Sequence, residues 1–500
     1  MIRFSPVPNR AHLVHWFEWG EEAFNTARSQ DKPVMLFLTA FWCRFCQRMD
    51  EGAFSDDDNL ALLNAYFVAV RADNAQRPDV DVRYNRNGWP SIAFITAGGD
   101  LLAVANYLPS EEFGDLLVRV YTAYHDKKDD IQALGQKARE SASAANKRVN
   151  AAQPDVSAVA AITDEIMELA DPVHGGYGRG QKFIHPEAND FLLARYEATQ
   201  DSRYLDHVCL TLDRMRESPM HDPEAGGYFR TCSGQDWSRP HREKLLAEQA
   251  GLLGNCLRTF RITQRPVYAH MAESIIDYLN GKLSDASNGT FYGCEDFLRC
   301  ETTPAGSRDE FFSILDECVY IDANAQAIVA YLEAATVLVK PGYQQRALQG
   351  LEFLWQHCRG QEGGMVHYFD GAARVSGLID DQVHMGMALL KAYRATEENK
   401  YLERATSLAE FILARLRHPN GGYYDICAPG PALLNFRLTL IGQNGVAASF
   451  FLALAGVTKQ RNYRDNALWA LAAFHGDFSS YGLDAARFGQ ALGEFTAASQ

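Results

Sequence analysis

Long apolar runs are missing from this chain. No stretch reaches the roughly 18 uninterrupted apolar residues that cross a bilayer, so no membrane partner is expected. The start, Met1 to Arg10, also has no apolar core like that of a secretory signal, which points to a cytoplasmic protein. Positive charge is in short supply: 48 Lys and Arg stand against 63 Asp and Glu, for a formal charge of −15. No basic block offsets that balance, so nucleic acid is not an expected partner. Cysteine is sparse as well, and ten in 500 residues excludes a disulfide-stapled secreted scaffold. Most are scattered; Cys209, Cys256 and Cys318 read as small core residues on helical faces.

Two cysteines, Cys43 and Cys46, do form a motif. The run Pro33 to Thr39 ahead of them is continuous and apolar, as in a strand covered on both faces. From Phe41 to Met49 the pattern turns helical. Further strand candidates are Tyr66 to Arg71, Ser91 to Ile95 and Leu101 to Val104, with helices at Glu21 to Ser29 and Pro109 to Tyr124. Strand, thiol motif, helix, strand, a strand pair and a closing helix make the order of a thioredoxin-like α/β domain, expected over residues 1–128.

A thiol at a helix N-terminus faces unpaired backbone N–H groups and the positive end of the macrodipole, which favours thiolate. Cys43 is therefore the expected exposed nucleophile, with Arg44 adding a cation, and Cys46 one turn on resolves the mixed disulfide. Pro90, directly before the Ser91 strand, is expected in the cis form opposite the thiols, where Trp89, Pro90, Trp42 and Arg44 would hold a substrate strand. No second cysteine pair with zinc spacing exists, so neither a metal nor another cofactor is expected.

After a polar stretch taken as a helical linker, 129–154, the chain becomes a series of amphipathic helices over 155–500. Their starts are expected near Val156, Ala188, Tyr204, Glu243, Val267, Asp322, Tyr343, Asp380, Tyr401, Ile441 and Tyr463, with almost no strand-period alternation. A small motif recurs between them: Gly175-Gly176-Tyr177, Gly226-Gly227-Tyr228, Gly289-Thr290-Phe291, Gly363-Gly364-Met365 and Gly421-Gly422-Tyr423. Repetition at about one helical hairpin implies a toroid or solenoid of helix pairs.

The segments His15 to Phe24, Cys43 to Met49, Arg77-Pro78-Asp79, Gly88-Trp89-Pro90, Gln181-Lys182-Phe183 and His241 to Leu246 resemble the spermatogenesis-associated, thioredoxin-domain-containing family. The resemblance implies a closed all-α (α/α)6 toroid behind the first domain, similar to N-acylglucosamine 2-epimerases and six-hairpin glycosidases. It also matches Asp381 to a frequent aspartate and Asn324 to a frequent asparagine. The chain departs from the family's usual pattern in having Arg44, Phe45 and Gln47 around the thiols, and Phe37 where thioredoxins carry a buried acid.

Loops at one end of such a barrel surround a pocket. The candidate pocket residues are Lys182, Trp237, His241, Glu243, Lys244, Asp322, Asn324, Asp380 and Asp381. Asp322 and Asp380, at helix starts, also suit plain N-capping. The primary expectation is a thiol-disulfide oxidoreductase acting on a protein or small-molecule partner presented by the barrel. One alternative puts sugar epimerase, isomerase or glycosidase chemistry on a carbohydrate-like ligand in the barrel, with the first domain regulatory. Another is a non-catalytic binding or scaffold protein.

Overall fold

The computed structural model describes residues 2–127, 157–299, 311–476 and 478–497, together with positions 130, 133, 135 and 137. The expected linker, 129–154, otherwise lies outside the described residues. The chain divides into two compact units, one of Met1–Arg148 with Ala428–Leu438 and one of Val149–Cys427 with Thr439–Gln500.

In the first unit the strands are β1 (Trp16–Glu18), β2 (Val34–Thr39), β3 (Val68–Asp73), β4 (Ser91–Ile95) and β5 (Leu101–Ala105). They form one mixed sheet in the order β1-β3-β2-β4-β5, with β2 parallel to β3 and antiparallel to β4. Every residue of β2, β3 and β4 is buried, as the apolar runs of β2 and β4 require of strands covered on both faces, and β3 buries the charged Arg71 by pairing it with Asp50. The covering helices are α1 (Glu21–Gln30), α2 (Arg44–Glu51), α3 (Asp57–Tyr66), α4 (Pro78–Tyr84) and α5 (Ser110–Asp126). This is the expected thioredoxin-like domain. Ala428–Leu438, from within the range expected for the toroid, belongs to this unit: Arg83 donates to the carbonyls of Leu433 (3.2 Å) and Phe436 (2.7 Å), and the Leu433 N–H donates to the Tyr84 hydroxyl (3.1 Å).

Among the described residues twelve α-helices build the second unit. Six form an inner ring: α7 (Pro186–Thr199), α9 (Leu246–Thr263), α11 (Ile321–Val337), α13 (Ile379–Thr396), α15 (Ile441–Thr458) and α17 (Ala486–Ala497). Each packs on the next and α17 returns to α7, so the ring is closed. The others are α6 (Ala158–Leu169), α8 (Ser202–Glu217), α10 (Pro266–Gly281), α12 (Pro341–His357), α14 (Asn399–Arg415) and α16 (Arg461–Leu471). The result is the expected (α/α)6 toroid. By length and composition α15 could cross a membrane, but here it is half-buried as an inner helix of the ring.

One expectation needs correction, because short strands do occur in this unit. The sheets are β6 (Lys182–Phe183) with β7 (Thr231–Cys232) and β8 (Pro240–His241); β9 (Lys244–Leu245) with β10 (Cys294–Arg299) and β11 (Phe311–Asp316); and β12 (Val319–Tyr320) with β13 (Val366–Phe369) and β14 (Ala373–Ser376). The two-residue strands are too brief to leave an alternating signature, and the six-residue β10, Cys294-Glu295-Asp296-Phe297-Leu298-Arg299, does not alternate apolar with polar residues. Cys318 therefore sits in the turn between β11 and β12, not on a helix.

The recurring glycine motif has a common structural role. In four of the five repeats the third residue of the motif has its N–H and C=O bound by one side-chain amide at the fourth position of the following inner helix: Tyr228 by Gln249, Phe291 by Asn324, Met365 by Gln382 and Tyr423 by Asn444; in the first, Asn189 at the same helix position accepts from the Tyr177 hydroxyl instead. Gly227 shows why the motif needs glycine: its φ is +71°, and a Cβ would press on Gln249 and the ring of Tyr278.

Candidate functional site

In the first unit, Cys43 is the N-cap of α2 and is joined to Cys46 as a disulfide, with Cα atoms 5.2 Å apart. The Cys46 N–H points at the Cys43 sulfur (3.1 Å), the helix-start arrangement that stabilises a thiolate once the bond is reduced. The expectation of an exposed nucleophile is corrected in this oxidised form, since Cys43 is only 4% exposed and Cys46 1%. Trp42, next to Cys43, packs edge-on against Trp89 at 5.3 Å, and Trp89 precedes Pro90 through a cis peptide bond.

Trp89 is held in turn by Asp81, whose carboxylate accepts from the indole N–H at 2.8 Å. Burial raises the Asp81 pKa above the ordinary value, against the lowering effect of that bond. Arg44 turns along its helix to Glu51 (3.2 Å) and Gln47 (3.1 Å). Beneath the motif, buried Phe37 lies under the Arg71 guanidinium at 4.9 Å, and Arg71 grips Asp50 with two bonds of 2.7 and 2.8 Å. Thus the acid buried here is Asp50, from the far end of α2, and it is already paired.

In the toroid, the N-terminal turns of the inner helices gather acidic side chains. Asp322, Asp380 and Asp381 come together with His367, a β13 residue that the sequence reading missed: His367 Nδ1 lies 3.0 and 3.2 Å from the two Asp381 oxygens, and one donor atom each from Asp322, His367 and Asp381 fall within 4.8 Å of one another. Burial and the Asp322 charge push the Asp380 pKa up to about 6. Burial, with Asp322 and Asp380 adding to it against the pull of His367, pushes Asp381 up to about 7. Asp380 accepts from Gln443 at 2.7 Å.

The N-capping expectation is corrected for both aspartates. The caps of α11 and α13 are Tyr320 and Leu378, neither with a side-chain cap bond, and Asp322 and Asp380 are the second helical residues. A cap must precede the first helical residue, and here the strand or bridge residue runs straight into the helix.

A cavity of about 380 Å³ inside the ring is lined by Glu187, Gln326, His384 and Arg487, among others. Arg487 donates to Glu187 (2.9 Å) and Gln326 (3.3 Å), and burial pushes the His384 pKa down to about 3, so its imidazole is neutral. Glu187, Gln443 and Arg487 were also missed. The signal that could have found them is positional: each stands second or third in its inner helix, just as Asp322, Asp380 and Asp381 do.

The remaining expected pocket residues hold loops. Lys182 is fully buried and donates to Asp171 (2.8 Å) and the Gly178 carbonyl (2.7 Å); Lys244 repeats this with Asp222 (2.7 Å) and the Gly226 carbonyl (2.9 Å). Trp237 is buried, its indole packed on Gly176 and donating to the His174 carbonyl (2.8 Å). Glu243 is buried beside Arg230 (3.1 Å), and His241 is exposed beside Ser233 (3.0 Å). Asn324 is fully buried in its backbone clamp.

Residues 8–143 match the family Thioredox_DsbH, described as a protein of unknown function, DUF255. Spermatogenesis-associated protein 20 of Mus musculus is 29% identical over 306 residues, 57% of this chain and 38% of that protein. Thiol:disulfide interchange protein DsbD of Yersinia pestis is 36% identical over 110 residues, 21% of this chain and 16% of that one. The chain thus spans less than two thirds of the length of the curated relatives it matches. Among solved structures, cellobiose 2-epimerase from Spirochaeta thermophila superposes with a TM-score of 0.53 at 13% identity, over 69% of this chain and 97% of that one. The chain is thus similar over part of its length to spermatogenesis-associated protein 20, matches the DsbH family description in its first unit, and shares its (α/α)6 toroid fold with a sugar epimerase.

Proposed function

We propose that the first unit carries out thiol-disulfide exchange through Cys43 and Cys46. The observation that supports this most is the placement of the pair: a disulfide at the first turn of α2, directly after Trp42, whose ring packs on that of Trp89. In the dithiol form the Cys43 thiolate attacks a partner disulfide, making a mixed disulfide and expelling one partner thiolate. Cys46, as thiolate, then attacks the Cys43 sulfur, closing the bond seen here and releasing the second partner thiol. Two electrons have passed to the partner. Similarity over part of the chain to DsbD, a thiol:disulfide interchange protein, supports the same reading.

The test uses the reduced full chain and a disulfide probe. Wild type should turn the probe over, Cys43→Ser should abolish turnover, and Cys46→Ser should accumulate the mixed disulfide. A wild-type dithiol inert toward disulfides, or a Cys43→Ser variant as active as wild type, refutes the proposal.

A second reading concerns the toroid, where Asp380 and Asp381 have pKa values raised toward neutrality beside a histidine. Groups poised this way suit general acid-base chemistry on a small polar ligand such as a sugar. Incubation with aldoses, amino sugars and oligosaccharides, followed by NMR, should show turnover by wild type and none by Asp381→Asn. Unchanged spectra for every sugar would remove this reading.

A further inference from the structure

Three chain segments bring unlike donors to one point at the mouth of the toroid. Asp322 is the second residue of α11, His367 lies on β13, and Asp381 is the third residue of α13. Their donor atoms lie within 4.8 Å of one another, and the closest pair, His367 Nδ1 and Asp381 Oδ1, is 3.0 Å apart. An ion with bonds of about 2.0–2.2 Å needs its ligands roughly 3–3.5 Å from each other, so small rotations of the Asp322 carboxylate complete the set. Asp381 is fully buried and His367 4% exposed, which fixes two of the three ligands in place.

The surroundings are short of positive charge. Asp380 brings a third carboxylate to the same mouth, and Arg487, whose charge reaches it, is bonded to Glu187 and Gln326. Among the described residues the Asp322 carboxylate accepts no hydrogen bond. Gln443 supplies an independent sign: its Nε2 donates to Asp380, while its Oε1 is buried and has no partner. An orphaned acceptor beside clustered carboxylates lacks either a donor or a cation.

The geometry points to a divalent transition-metal site formed by Asp322, His367 and Asp381. One imidazole with two carboxylates suits Zn²⁺ or Mn²⁺ better than Mg²⁺ or Ca²⁺, which favour all-oxygen shells. The site was not expected from sequence, since its ligands are far apart along the chain and share no motif spacing. It is independent of the thiol chemistry proposed for the first unit.

The experiment takes the full chain with Cys43 and Cys46 oxidised, stripped with a chelator and desalted. Mn²⁺ alone is followed by electron paramagnetic resonance, and Zn²⁺ alone by equilibrium dialysis with elemental analysis. Wild type should take up a single ion with a rise in Tm. His367→Ala and Asp322→Asn should each weaken binding by at least about tenfold. Asp322→Asn is the safer variant, because its carboxylate takes part in no hydrogen bond, and circular dichroism checks that both variants fold. The inference is overturned by wild type that binds neither ion at millimolar concentration. It is equally overturned if folded Asp322→Asn and His367→Ala bind as wild type does, or if uptake disappears only when Cys43 and Cys46 are both replaced by Ser.

Discussion

Asn324 holds both backbone polar groups of Phe291, accepting from its N–H at 2.8 Å and donating to its carbonyl at 3.0 Å. The pair is fully buried, so water cannot replace the lost bonds. Asn324→Ala should therefore cost about 2–4 kcal/mol, from two stranded backbone groups at about 1–3 kcal/mol each after partial relaxation. Urea unfolding of the full chain measures it, and a cost within about 0.5 kcal/mol of zero would contradict the clamp.

Lys182→Met should be more damaging still, by about 3–5 kcal/mol, because Asp171 would keep a buried charge without its cation. Burial opposes ionisation of Asp171, but the Lys182 ammonium and the N–H groups of His174 and Val173 outweigh it and hold the pKa below 3.8. A depressed carboxylate contributes stability that is complete above the unfolded value and is lost as pH falls through that value toward the folded one. Wild type should thus lose stability to acid below about pH 4, and the variant should show a smaller acid-dependent loss in thermal scans.

The opposite sign holds at the toroid mouth. Asp380 and Asp381, raised to about 6 and about 7 from 3.8, keep protons in the folded state that the unfolded chain has released. Metal-free protein should therefore lose stability as pH rises from about 4 to about 7. Calorimetry in chelator would show this as a falling Tm, and Asp381→Asn should flatten the slope. A Tm that climbs steadily across the window, with the variant parallel to wild type, would refute the assignment.

Asp81→Leu should slow disulfide exchange without altering the reduction potential of the pair. The carboxylate accepts from Trp89 and Asn85, so losing its bond of about 1 kcal/mol to the indole releases that ring and predicts a rate loss of about fivefold. Stopped-flow rates and a redox titration separate the effects. A shifted potential with an unchanged rate would show that Asp81 acts on the thiols themselves.

The dithiol was legible in the sequence because Cys43 and Cys46 stand one helical turn apart directly after the apolar β2 run. Helix periodicity likewise announced the toroid. The site inside it was only half legible. Asp322, Asp380 and Asp381 stand out at helix starts, but His367 sits on a four-residue strand that no pattern marks, and it joins them only through tertiary pairing. Lys182, Lys244 and Asn324 were drawn to the pocket by their polarity within apolar surroundings. Their partners are loop carboxylates and backbone groups, and sequence spacing does not show that those bonds use them up.

Because Ala428–Leu438 belongs to the first unit, that unit is discontinuous in sequence, and no single cut in the linker excises it whole. A fragment ending near Arg148 would strip the Arg83 guanidinium of its Leu433 and Phe436 acceptors and the Tyr84 hydroxyl of its donor. Redox assays on such a fragment would measure a wounded domain, so a sound minimal version has to graft the eleven-residue strap back on.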